Sequence, residues 1–288
     1  MTVRFPDFLI IGAQKAGTSW LHHQLRQHPA LYLPEDKDFE YFSFAPHSDT
    51  DRWSARFADA GPEQHIGDAC ASYFWTADFG DGNIGFNPDI PGTVRDVLGA
   101  DTRILVLLRD PVDRAISAYL HHIAFGSLDA QVSLLGAPDA LGLIALSRYG
   151  VHLDNWLSVF PESSIRVLPS PAETNPQALL KSAFEHLGVE RRPVADANQK
   201  VFPGLRRKRM SDGVWAELGQ SGLERSESPV REMDGRMWTR LIGSGEISAL
   251  VDALSEDTHR LAGTLSRIKQ THPAFESWAT WPGPRAAQ

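Results

Sequence analysis

The clearest signal along the chain is a change of period. Phe8–Ile11 (FLII) is a continuous apolar run, the pattern of a strand buried on both faces. A turn over Gly12–Gly17 follows. Thr18–Gln27 then sets Trp20, Leu21 and Leu25 at helical spacing, and His28-Pro29 closes the segment. The same succession returns at Arg103–Leu108 (RILVLL), which runs into Arg109-Asp110-Pro111. Asp110 suits an N-cap, Pro111 the first helical position, and Asp113 stands where a capping-box acid would. That helix should reach about Ile123. A third strand is expected at Ser164–Leu168, then a helix at Pro176–Leu187 ended by Gly188. Ile247, Leu250, Val251, Leu254, Leu261, Leu265 and Ile268 recur at helical spacing and predict a last helix over Glu246–Ile268.

Strand, turn and helix in repeated order predict an α/β protein. The expected form is a three-layer, P-loop-like fold with a central, mostly parallel sheet flanked by helices. Asp78–Gly92, rich in Gly, Asp, Asn and Pro, reads as a loop. Ser211–Gly245 is polar, with Trp215 and Trp238 as isolated anchors, and yields no element. The tail beyond Pro273 holds Trp278 and Trp281 without periodicity. No repeat or low-complexity linker divides the 288 residues, so one domain over 1–272 with a C-terminal tail over 273–288 is expected.

Composition narrows the function classes. An apolar share of 42% supports a sizeable core. The single cysteine, Cys70, excludes a disulfide framework. A net charge of −8 argues against general nucleic-acid binding, while a few local cations suffice for a nucleotide ligand. The N-terminal segment does not read as a signal peptide, and no run approaches the roughly 20 apolar residues of a membrane span. The expectation is a cytoplasmic protein without membrane insertion.

Two strand–helix junctions carry candidate chemistry. In Gly12-Ala13-Gln14-Lys15-Ala16-Gly17-Thr18-Ser19, glycines let backbone N–H groups turn toward an anion, and the helix that follows adds free N–H groups and a positive dipole end. Lys15, Thr18 and Ser19 add charge and hydroxyl donors. This is not a Walker A motif, because Thr18 rather than lysine follows Gly17. At the second junction Arg109 ends a strand, and Ser117 lies about two helical turns on. Arginine suits bidentate phosphate contact, so the pair of junctions suggests a ligand with two separated phosphates. Arg109 paired only with Asp110 or Asp113 is the competing reading.

With both segments in view, the chain resembles the sulfotransferases that use 3′-phosphoadenosine 5′-phosphosulfate (PAPS), in particular their heparan-sulfate-type and bacterial branch. FLIIGAQKAGTSWL is similar to that family's 5′-phosphosulfate loop, and ILVLLRDPVDRAISAYLHH to its 3′-phosphate motif. Lys37-Asp38-Phe39-Glu40-Tyr41-Phe42 and Gly67-Asp68-Ala69-Cys70-Ala71-Ser72-Tyr73-Phe74 are similar to two further family segments, and Tyr149, Trp156-Leu157 and Phe160-Pro161 continue the pattern. Two departures stand out. Asp38 replaces the family's usual Glu, and Ala69 stands where the carbohydrate enzymes often carry Lys, which argues against a sulfated polysaccharide acceptor.

The resemblance implies in-line transfer of a sulfuryl group from PAPS to a hydroxyl or amine of a small-molecule or glycan acceptor, with no metal. It implies Asp38 as general base, with Glu40 and Asp68 in reserve, and Lys15 as the group that offsets charge on the bridging oxygen. Lys15, Gly17, Thr18, Ser19 and Trp20 would hold the 5′-phosphate, and Arg109 and Ser117 the 3′-phosphate. A nucleotide-closing loop would fall near Asn198–Arg209, where Lys200, Arg206, Arg207, Lys208 and Arg209 supply charge. His22-His23 and His121-His122 form no trusted metal spacing, and Cys70 reads as a small buried side chain. A P-loop ATP-dependent phosphotransferase and a non-catalytic nucleotide-binding module are the alternatives.

Overall fold

The computed structural model describes residues 4–44, 49–76, 86–129, 131–194, 197, 242 and 244–279. β1 (Phe8–Gly12) is buried at every position because it lies at the centre of the sheet. With β2 (Leu31–Tyr32), β3 (His65–Ala69), β4 (Arg103–Leu108) and β5 (Ile165–Pro169) it forms a five-stranded sheet in the order β2-β3-β1-β4-β5. Every pairing in it is parallel. Phe8 pairs with Gly67 on β3 and with Arg103 on β4. Gly67 is required there, since a Cβ would meet the Phe8 ring at 2.2 Å.

Around the sheet lie α1 (Thr18–Leu25), α2 (Thr50–Ala55), α3 (Ile90–Leu98), α4 (Pro111–Ala124), α5 (Tyr149–Val159), α6 (Pro176–Leu187), α7 (Ser244–Arg267) and α8 (Pro273–Ala279). The main core joins the strands to α1, α5, α6 and the last turns of α7. A second cluster packs α4 residues Val112, Ile116 and Ile123 against Ile247, Leu250 and Leu254 of α7. The expected α/β architecture is therefore present, with its sheet parallel throughout the described residues.

Several local signals formed as read. Asp110 caps α4, accepting from the N–H groups of Val112 and Asp113 at 3.0 Å each. Gly188 ends α6 at φ 67°, in the left-handed region. Others did not. The Asp113 carboxylate turns to Arg109 at 3.4 Å instead of closing a capping box. Asp78–Gly92 is not loop throughout: Asp89 accepts from Gly92 N–H at 2.9 Å and starts α3. The stretch after Pro273 forms α8, whose Phe275 and Trp278 enter the main core. Of Ser211–Gly245 only residues 242, 244 and 245 are among the described residues. No described helix is long and apolar enough to cross a membrane.

Candidate active site

The chain leaves β1 toward β2 and β3 on one side and later returns to β4 and β5 on the other. In such sheets the carboxyl ends at the reversal open a crevice, here between β1 and β4. Both candidate junctions rise from it. The loop after β1 is tied to β4 by Ala13 N–H, which donates to the Leu107 carbonyl at 2.7 Å. Gly17 precedes α1 at φ 109°, and a Cβ there would sit 2.7 Å from Pro171 Cδ. No side chain caps α1, so its first-turn N–H groups and the positive end of its dipole stay available to an anion. Thr18 is buried and Ser19 half-buried in that turn.

Lys15 adopts φ 69°, and its Nζ lies 3.3 Å from His121 Nδ1. His121 follows Ser117 by four residues on α4, so the two share one ridge of the helix. This contact brings the loop after β1 and the helix after β4 to a common space. Sequence reading missed it: His121 looked like one of a neighbouring pair, and its spacing from Ser117 was the available signal. Arg109 stands at the head of the same helix, half-buried, with Nη2 3.4 Å from Asp113 Oδ2. Trp20 is buried, and its indole N–H donates to the Ala197 carbonyl at 3.1 Å. Its ring is thus packed in the core, with the indole N–H already engaged.

The acids fall into two environments. Asp38 sits beyond the carboxyl end of β3: its N–H donates to Ala69 O at 2.7 Å, and its Oδ1 accepts from Ala71 N–H at 3.0 Å. Lys37 meets the other carboxylate oxygen, and the Asp38 side chain is 43% exposed. Glu40 lies close by. Partial desolvation and, second, the Asp38 charge push its carboxyl above the ordinary value. Asp68 is fully enclosed and committed. It accepts from Trp53 Nε1 at 3.0 Å, Tyr73 Oη at 3.3 Å and Arg56 Nη1 at 3.2 Å. That set of donors makes Asp68 structural. Cys70 is buried, and burial followed by the Asp38 charge pushes its thiol up to about 12. A thiol so placed is not a nucleophile near neutral pH.

Behind Arg109 lies a buried polar network that sequence reading did not anticipate. Arg114 Nε donates to Ser147 Oγ at 2.7 Å, and Ser147 Oγ donates to Pro111 O at 2.8 Å. Burial lowers the Arg114 guanidinium to about 10. Among the described residues no group of three or more His, Cys, Asp or Glu is placed to hold a metal ion. The basic stretch Asn198–Arg209 lies outside the described residues.

Fold and crevice define a parallel α/β protein with an anion-receptive helix start at its switch point. No protein-family profile matches the chain. Curated relatives do. Bifunctional heparan sulfate N-deacetylase/N-sulfotransferase 1 of Mus musculus is 30% identical over 303 residues, covering 94% of this chain and 31% of its own length. The N-deacetylase/N-sulfotransferase 2 of Bos taurus is 27% identical over 288 residues, again 94% of this chain and 31% of its own. Heparan sulfate glucosamine 3-O-sulfotransferase 6 of Mus musculus is 30% identical over 174 residues, 56% of this chain and 45% of its own. The chain thus spans less than half the length of these relatives. A crystal structure of a sulfotransferase from Alicyclobacillus acidocaldarius superposes with a TM-score of 0.64 at 21% identity, over 95% of this chain and 100% of that one. That likeness is one of fold. Over nearly its whole length the chain is similar to part of these sulfotransferases.

Proposed function

We propose that this protein moves a sulfuryl group from PAPS to a glycan or small-molecule hydroxyl or amine. What carries the reading is the 3.3 Å contact of Lys15 with His121, which turns the loop after β1 and the Ser117 ridge of α4 toward one crevice. PAPS supplies the sulfuryl group and departs as adenosine 3′,5′-bisphosphate. The α1 N–H groups, Lys15, Gly17, Thr18 and Ser19 would hold its 5′ end, with Trp20 contributing only through its backbone. Arg109 and Ser117 would read its 3′-phosphate, and Arg109 would exchange its exposed Asp113 partner for that anion.

In the transfer the acceptor oxygen or nitrogen forms the new bond to sulfur while the bond from sulfur to the bridging oxygen breaks. Asp38 takes the acceptor proton, and Lys15 offsets the charge that grows on the bridging oxygen. Asp38 suits the part because Ala71 N–H fixes one of its oxygens while the side chain stays open to solvent. The relatives' names point to glycans, with nitrogen and oxygen both sulfated.

The test is a transfer assay with labelled PAPS and a panel of glycans and small alcohols and amines, read by mass for a gain of one sulfate. Lys15→Ala should cut turnover by about 10²–10³-fold, the usual loss for a charge-stabilising donor. Asp38→Asn should cut it by about 10²-fold or more with donor binding intact. Wild-type turnover in Asp38→Asn would move the base elsewhere, Glu40 first.

A further inference from the structure

The loop between β5 and α6 braces both corners of the candidate site at once. Ser170 N–H donates to Leu108 O at 2.6 Å, which seats the loop beside the end of β4. Pro171 fills the space where Gly17 lacks a side chain. Two residues on, Glu173 Oε1 accepts from Asp110 N–H at 2.9 Å, between Arg109 and the first turn of α4. Glu173 Oε2 is buried with no partner among the described residues. Nothing in the proposed chemistry uses this carboxyl.

Its surroundings are predominantly acidic. Asp110 and Asp113 face it from the head of α4, with Arg109 from the end of β4 as the nearby cation. Tyr149, at the start of α5, faces it as a phenol whose hydroxyl approaches the Arg109 backbone without completing a hydrogen bond. From the residue before α8, His272 Nε2 lies 3.3 Å from the neighbouring Thr174 hydroxyl. A neutral Glu173 keeps the Asp110 anchor without adding charge. An ionised one adds a third carboxylate beside the corner that is to receive a phosphate.

We infer that Glu173 is a positioning residue that sets the Arg109–Asp110 corner through the Asp110 N–H and favours donor binding in its neutral form. The inference rests on the donor reading above. Burial in the first place, with the Asp110 charge also contributing, pushes this carboxyl up to about 7, so its charge changes between pH 6 and pH 8.

The experiment is calorimetric binding of adenosine 3′,5′-bisphosphate at pH 6 and pH 8 to wild type, Glu173→Gln and Glu173→Met. The nucleotide's own phosphates also titrate near pH 6. The informative quantity is therefore the ratio of wild-type to variant affinity, in which the ligand's titration cancels. Wild type and Glu173→Gln should bind alike at pH 6, and wild type should be weaker by about tenfold at pH 8, the scale of one added charge nearby. Glu173→Met keeps no acceptor for Asp110 N–H; it should bind more weakly than Glu173→Gln at both pH values, with the same pH dependence. With saturating donor, kcat should be equal in all three, and only the donor KM should move. A wild-type to Glu173→Gln ratio that is the same at both pH values overturns the inference. Absence of binding by wild type at either pH overturns the donor reading instead.

Discussion

Lys15, Asp38 and Glu40 share an uncommon backbone. Each is a non-glycine residue in the left-handed region, at φ 69°, 60° and 60°. Among the described residues the one other such case is Lys269. Such conformations cost of order 1 kcal/mol or more and persist where surrounding structure imposes them, commonly at functional sites. Sequence could name these three residues but not their backbone, because nothing in a Lys or an Asp announces a positive φ. Gly17 is the legible case, since a glycine before a helix start signals a left-handed turn. Gly17→Ala should lower stability by about 1–3 kcal/mol in denaturant titration and weaken nucleotide binding, because the new Cβ must displace Pro171. Unchanged stability would show that the Pro171 brace yields freely. Asp68 is the opposite lesson. Its sequence context fits a reserve base, but Trp53, Tyr73 and Arg56 already occupy the carboxylate.

At the scale of elements, α5 depends on α7. The N-cap position of α5, Arg148, provides no side-chain cap. Asp257 of α7 supplies it from a distance of over a hundred residues, accepting from Gly150 N–H at 2.8 Å and Val151 N–H at 3.0 Å. Gly150 allows that approach, since a Cβ would meet Asp257 O at 2.8 Å and Leu261 N at 3.0 Å, both backbone atoms. Asp257→Ala should cost about 1–2 kcal/mol, the usual loss for a capping acid. Gly150→Ala, which stabilises an isolated helix by about 1 kcal/mol, should here destabilise. A higher Tm for Gly150→Ala would contradict the packing. The strands and helices with strong periodicity, β1, β4, α4, α6 and α7, were legible because each buries a continuous run or a regular stripe. β2 is two residues long and carries no such pattern. β3 was visible through the resemblance of Gly67–Phe74, not through its period: His65-Ile66-Gly67-Asp68-Ala69 mixes a buried acid and a glycine into a core strand. α5 lacks a local cap, so its start could not be read locally.

At the scale of the whole molecule, three buried imidazoles oppose stability in acid. Burial, the largest cause in each case, lowers His22, His152 and His186 to about 4. Between pH 6.5 and 4 the unfolded chain takes protons at these positions that the folded chain refuses, so their contribution to stability falls as pH falls. Glu173 runs the other way: its carboxyl, raised to about 7, holds a proton in the folded state that the unfolded chain has lost between about pH 7 and 4.5. Variants separate the two. His152 donates from Nε2 to Ala145 O at 2.9 Å, and its Nδ1 accepts from Thr76 N–H at 3.3 Å. His152→Gln offers a donor and an acceptor without titrating, so any stability lead of wild type over it should shrink as pH drops from 6.5 to 4. A lead that is constant with pH, measured by denaturant midpoints, would show that His152 titrates as it does in the unfolded chain.

On the proposed reading, the crevice between β1 and β4 recognises a 3′-phosphate as well as a 5′ one. The most direct test is calorimetry of adenosine 3′,5′-bisphosphate against adenosine 5′-monophosphate, which differ only in that group, on wild type and Arg109→Ala. Wild type should prefer the bisphosphate by about 10–100-fold, the scale of one charge-assisted contact, and the preference should collapse in Arg109→Ala. Equal affinity for the two nucleotides in wild type, or a preference that survives loss of Arg109, would contradict the account.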